Sequence, residues 1–320
     1  FVAPQQPSAQ NPVIVDLSYL QIDKLEAGAE ETEIRPSDLV DFRLNSDTLR
    51  FHEVLYNDLQ VEARVIGDKL QVDKLSMRKD NLILKALAYW EYDLASKSHL
   101  SSVALSIKGD EMGQALTGMG FGNTMTNGTL NFYGGFTWPA PLTSFTPETL
   151  AGDAKFRIEN GILNNVEPGT GGKFVGLLSL SALPRRLSLD FSDMLIEGMD
   201  FDKIDGSYRI EDGIIHTRNT RLEGVAARIK ISGKTDIARR EYDQTIIVTP
   251  KIRQTLPIIG AVSAGSTVGW GLLLLQNLFK KSIDKAVEVE YRVTGSWDDP
   301  QIELIKAVDE NQRELPKIDR

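Results

Sequence analysis

Alternation with a period of two residues runs through most of this chain and narrows what it can fold into. Val61, Ala63 and Val65 alternate with Glu62 and Arg64, and Val103, Leu105 and Ile107 with Ser102, Ser106 and Lys108. The same period carries Phe156/Ile158, Leu187/Leu189/Phe191, Tyr208/Ile210, Ile229/Ile231, Ile246/Val248 and Val287/Val289/Tyr291/Val293. Successive side chains of a strand point to opposite faces, so each run is a strand with one apolar and one polar side. Strands of that kind belong to antiparallel sheets, which leave one face in water. The pattern predicts a mainly β chain of a dozen or so strands. Asn127-Gly128, Asn160-Gly161 and Asp212-Gly213 read as two-residue hairpin turns, because those pairs accept positive φ at low cost.

An internal echo accompanies the alternation. Residues 156–163, FRIENGIL, recur 52 positions later as YRIEDGII at 208–215, with a fainter copy around Ala63 to Asp68. A stacked hairpin repeat accounts for this, and so does the likeness of any two hairpins with such turns.

Composition removes several function classes. The chain has no cysteine, which excludes disulfides, thiolate metal sites and a cysteine nucleophile. Its net charge of −9 comes with basic residues scattered among acids, and the longest basic cluster is a pair such as Arg185-Arg186. That is no footprint for nucleic acid. His52, His99 and His216 lie in separate segments with no ligand or triad spacing. The glycine run 169–172 before Lys173 lacks both the first glycine of a phosphate loop and its Ser/Thr. Asp200, Asp202 and Asp205 approximate a calcium loop, but the third acid is displaced and the final Glu is missing. No catalytic set, metal site or cofactor emerges.

Residues 1–12, rich in Pro, Gln and Ala, read as a linker ahead of a continuous module over 13–320. Helical signals are few: Met112 to Met119, Gly172 to Leu183, and 257–285. The last overlaps 26 uncharged residues, Gln254 to Phe279, long enough to cross a hydrocarbon core of ~30 Å. An alternating strand expected at 287–294 follows at once, and a lone strand beyond a bilayer would leave its backbone unpaired. The segment is therefore expected to return to the sheet. Its second half is amphipathic, with Leu272, Leu275, Leu278 and Phe279 opposite Gln276, Asn277, Lys280 and Lys281. Ile258, Ile259, Val262 and Trp270 precede this stripe, and the whole set is expected either to contact a membrane or groove or to cover one sheet face.

Three architectures bury one-sided strands: a sandwich, a closed barrel, or a long curved open sheet whose concave face holds acyl chains. A dozen strands at ~4.8 Å reach on the order of 55 Å, longer than one lipid, so the third would be a track. An acyl chain gains about 0.8 kcal/mol per CH₂ removed from water on such a face. Its expected lining is the alternating set named above: Val61, Ala63, Val65, Val103, Leu105, Ile107, Phe156, Ile158, Leu187, Leu189, Phe191, Tyr208, Ile210, Ile229, Ile231, Ile246, Val248, Val287, Val289 and Tyr291. Periodicity supplies the faces and leaves the architecture open.

Residues from about Gly172 to Glu303 resemble the C-terminal part of the YhdP family of AsmA-like envelope proteins. The likeness rests on KFVGLLSL at 173–180 with LPRRL at 183–187 and DFSD at 190–193, then DGSYRI at 205–210. Leu222-Glu223-Gly224, Ile231-Ser232-Gly233, Leu256-Pro257 with its Gly/Leu-rich run, and YRVTGSWDDP at 291–300 complete it. The resemblance implies a repeating β-groove that moves phospholipids between inner and outer membranes. It implies a periplasmic location with an inner-membrane anchor upstream of this chain, and no catalytic residues carry over. Implied partners are phospholipid acyl chains and, at the C-terminal helix, the outer-membrane inner leaflet or an envelope protein. The competing expectation is a β-sandwich assembly module that docks an envelope protein through that helix.

Overall fold

The computed structural model describes residues 11–22, 34–51, 53–118, 123–164, 199–225, 227–251, 288–297 and 299–308. Among them, fourteen strands form a single sheet in strict chain order. They are β1 Val13–Ile22, β2 Phe42–Phe51, β3 Val54–Ile66, β4 Lys69–Lys79, β5 Leu82–Asp93, β6 Ser98–Gly109 and β7 Met125–Trp138. β8 Ala151–Leu163, β9 Met199–Glu211, β10 Ile214–Gly224, β11 Ala227–Asp236, β12 Glu241–Pro250, β13 Glu288–Ser296 and β14 Pro300–Val308 follow. One helix, α1 Met112–Gly118, joins β6 to β7. The first and last strands pair only with their chain neighbours, so the sheet is open.

The mainly β reading holds, with two corrections. β1 pairs with β2 in parallel, Val13↔Phe42 through Ile22↔Phe51, whereas every other neighbouring pair is antiparallel. A parallel neighbour needs a crossover, and residues 23–41 supply its length. The second correction concerns turns. Asp212 and Gly213 both take positive φ, 48° and 72°, and reverse the chain between β9 and β10. Asn127-Gly128 and Asn160-Gly161 instead lie inside β7 and β8, where Asn127 faces Gly161 in an unbroken ladder. Asn160 alone of its pair has positive φ, 56°, and a single left-handed residue bends a strand without reversing it. The echoed segments 156–163 and 208–215 are therefore a bent strand and a hairpin, not two copies of one unit.

Bulges keep the apolar side continuous. In β4, Val72 opposes Ala88 and Leu75 opposes Ala86, so one extra residue at 73–74 is absorbed. Without it Leu75 and Met77 would fall on the face opposite Leu70 and Val72. A second bulge at Arg218-Asn219 returns Thr220 to the face of Thr217.

Connections seal parts of the rims. In the β7–β8 connection, Trp138 Nε1 donates to the Pro141 carbonyl (3.1 Å) and Ser101 Oγ to that of Ala140 (2.6 Å). Leu142 there packs against two clusters, one around Trp90 and Val72, the other around Trp138 and Ile210. At the opposite rim, α1 buries Ala115 completely and sets Met112 and Leu116 against the largest apolar cluster.

Candidate functional site

The ladder registers place the expected apolar residues on one face. Val61 opposes Leu75, which opposes Ala86, then Leu105, Gly134, Ala154 and Tyr208. The row continues through Thr217, Gly233, Gln244 and Val293. A neighbouring row runs from Ala63 through Val72, Ala88, Val103, Phe136 and Gly152 to Ile210. Val65, Ile107, Phe156, Ile158, Ile229, Ile231, Ile246, Val248, Val289 and Tyr291 occupy parallel rows of the same face. Leu187, Leu189, Phe191 and Val287 lie outside the described residues, as do Ile258, Ile259, Val262, Trp270, Leu272, Leu275, Leu278 and Phe279. Among the described residues, no helix is long and apolar enough to cross a membrane.

Burial varies along this face. Ile158, Ile204, Leu222, Ile246 and Val289 are essentially sealed. Val61, Val65, Val103, Leu105, Ile107 and Phe156 are half-buried. The opposite face carries the charges, arranged as cross-strand ion pairs such as Arg64–Asp73, Lys69–Glu91 and Arg292–Asp243. Phe132 and Phe136 stack at 6.5 Å, and Phe156 and Tyr208 at 5.7 Å, adding aromatic surface on the apolar side.

A polar patch interrupts the apolar face across β9–β12. Thr217 Oγ1 donates to the Ser207 carbonyl (3.1 Å) and lies 2.8 Å from Thr220 Oγ1, which reaches the Tyr208 hydroxyl at 2.9 Å. Gln244 Nε2 donates to Thr235 Oγ1 (2.7 Å), while Gln244 Oε1 has no partner. The Tyr291 hydroxyl on β13 is also buried without a partner. Burial pushes the Tyr208 and Tyr291 phenols up to about 12, so both stay protonated at neutral pH. Their neighbours on the alternating strands, Tyr242 and Ile246, carried the clue that Gln244 shares the apolar side. The bulge hid Thr220.

Among the described residues, the histidines and acids of the sequence form no acid–base or nucleophilic constellation on this face. His99 Nδ1 accepts from Trp90 Nε1 (2.9 Å) and its ring lies 4.8 Å from that of Tyr92, which makes it part of the rim packing. His216 is exposed and opposes Arg209. Asp200, Asp202 and Asp205 lie on extended β9 rather than in a loop, and Asp205 pairs with Lys203 and Arg221. Among the described residues, no group of three potential metal ligands converges.

A hollow of about 840 Å³ lies over β4–β8. Its lining takes the rows Ser76, Lys85, Ser106, Tyr133, Lys155 and Leu87, Ala104, Gly135, Asp153, on either side of the Leu75–Ala154 row. It includes none of the apolar-face neighbours Val103, Ile107, Phe132 or Phe136. The hollow therefore opens on the polar face, and Leu75, Ala86, Leu105, Gly134 and Ala154 of the central apolar row also line it.

Comparison with known proteins adds two results. A phospholipid transporter of Escherichia coli strain K12, named Intermembrane phospholipid transporter YhdP, is 31% identical over 154 residues. That match covers 48% of this chain and 12% of the relative. No solved structure matches. The family described as YhdP protein matches residues 2–302, spanning every strand from β1 to β13, and the chain belongs to the YhdP family.

Proposed function

We propose that this chain is a segment of a conduit that carries phospholipids between membranes, with acyl chains lying along its apolar face. The observation that carries the reading is the continuity of that face: direct cross-strand rows link Val61 on β3 to Val293 on β13 with no charged side chain among their members. Fourteen strands at ~4.8 Å reach on the order of 60 Å, so the surface is longer than a single lipid and suits passage better than storage. Movement along the apolar rows of β3–β8 keeps hydrocarbon out of water at a gain of about 0.8 kcal/mol per CH₂, up to the polar patch of β9–β12. The name of the E. coli relative supports the same cargo. The envelope compartment between two membranes is the matching location. Residues 257–285 are the proposed contact to the outer-membrane inner leaflet or to an envelope protein. The chain works by binding and guiding, not by catalysis. A sandwich module is disfavoured because the described strands form one sheet without a second packed upon it.

Photo-crosslinking separates the two faces. A photoreactive residue at Leu105, Phe156 or Ile231 is expected to capture phospholipid in cells, detected by mass spectrometry. The same residue at Ser106, Arg157 or Lys230, one step away on the polar face, is expected to capture none. Equal capture from both faces, or none from either, would overturn the proposal.

A further inference from the structure

We infer that the polar patch around Gly233 is a docking point for a neutral, hydrogen-bond-donating group of the cargo, such as a glycerol hydroxyl. The inference rests on the conduit reading and specifies what part of an amphiphile stops where. Gly233 sits in the row that runs from Ala86 through Leu105, Gly134, Ala154 and Tyr208, between Thr217 and Gln244. Its φ of +127° and the closeness of the Asp243 carbonyl oxygen exclude any side chain there, so the row has a notch at this point. The notch is half-buried, whereas its walls Thr217, Thr235 and Gln244 are each at most 5% exposed.

The hydrogen-bond inventory selects the ligand. Gln244 Oε1 is an acceptor without a donor, and the Tyr291 hydroxyl, one step along the ladder on the adjacent strand, also lacks a partner. A buried amide oxygen left unpaired is costly, and a ligand hydroxyl would relieve it while accepting from the phenol. An anionic group is unsuited: it offers no donor to Oε1, and no Lys or Arg of β9–β13 belongs to this face among the described residues.

The test uses the whole chain with two probes, dioctanoylglycerol and its 3-O-methyl ether, which differ by the donor alone. Wild-type protein is expected to bind the free hydroxyl about three- to tenfold more tightly than the ether, the range of one net hydrogen bond. Gln244→Met should bring the two affinities together while leaving ether binding within twofold, whereas Tyr291→Phe removes a donor to the oxygen that both probes carry and should weaken both about equally. Equal affinities in the wild type, or a preference that survives Gln244→Met, would overturn the inference. Loss of binding for both probes in the wild type would instead remove the conduit reading. Tyr291→Phe deletes only a hydroxyl, so if Gln244→Met fails to fold, unchanged binding of both probes by Tyr291→Phe would overturn the inference.

Discussion

The apolar faces of β3–β8 and β9–β13 arise from the same alternation yet end as different surfaces. Across β9–β13 most inward positions are bulky, Gly206 and Gly233 apart, and Ile204, Leu222, Ile246 and Val289 lose nearly all their exposure. Across β5–β8 the central row is Ala86, Leu105, Gly134 and Ala154, and the flanking Val103, Ile107 and Phe156 stay half-buried. Branched side chains at ~4.8 Å spacing pack against one another across β9–β13, whereas in the other half Ala86 and Ala154 are buried but Val103, Leu105, Ile107 and Phe156 keep part of their apolar area exposed.

A buried carboxylate gives the largest expected contrast. Ile246→Asp places an unpaired charge where nothing is exposed and should cost more than about 4 kcal/mol, a large share of a stability of roughly 5–15 kcal/mol. Leu105→Asp, at a half-buried site, should fold with a loss of about 1–2 kcal/mol while abolishing lipid capture. Urea denaturation of the two variants reads this directly, and equal losses would break the comparison.

Alkaline titration should sharpen it. Tyr208 and Tyr291 have phenols raised from about 10 to about 12, so above pH 10 the unfolded chain releases protons that the folded chain retains. Stability is fully present below pH 10 and falls as pH rises towards 12, by on the order of 2–5 kcal/mol for the pair. Tyr208→Phe with Tyr291→Phe should flatten that fall in a pH series of denaturation midpoints.

The smallest expected effect compares two adjacent glycines. A Cβ at Gly135 meets nothing within 4 Å, so Gly135→Ala should be neutral or stabilising by up to about 1 kcal/mol. A Cβ at Gly134 meets the Phe136 ring at 2.5 Å, so Gly134→Ala should destabilise by about 1 kcal/mol as that ring gives way. Thermal melts of the two variants should therefore shift in opposite directions.

Period two exposed the strands and the side each residue takes, because that geometry belongs to every strand regardless of its neighbours. Sixteen expected lining positions fall on one face for this reason, from Val61 to Tyr291. Turn chemistry was less legible. Asn160-Gly161 and Asp212-Gly213 offer the same local freedom, and only the pairing of the flanking segments decides between a bend and a reversal. The parallel β1–β2 pair was hidden too, since alternation carries no direction. Gln244 reads by its type as a solvent-side residue although Tyr242 and Ile246 flank it at period two, and the bulge hides Thr220, which the register puts beside Ile231.

Strict chain order has a consequence for how such a ribbon is made. Each strand finds its partner in the segment synthesised just before it, so the ladder can lengthen one rung at a time as the polypeptide emerges. No distant stretch must arrive before an early one is paired. The vulnerable species is the growing edge, whose open amides and carbonyls await the next arrival.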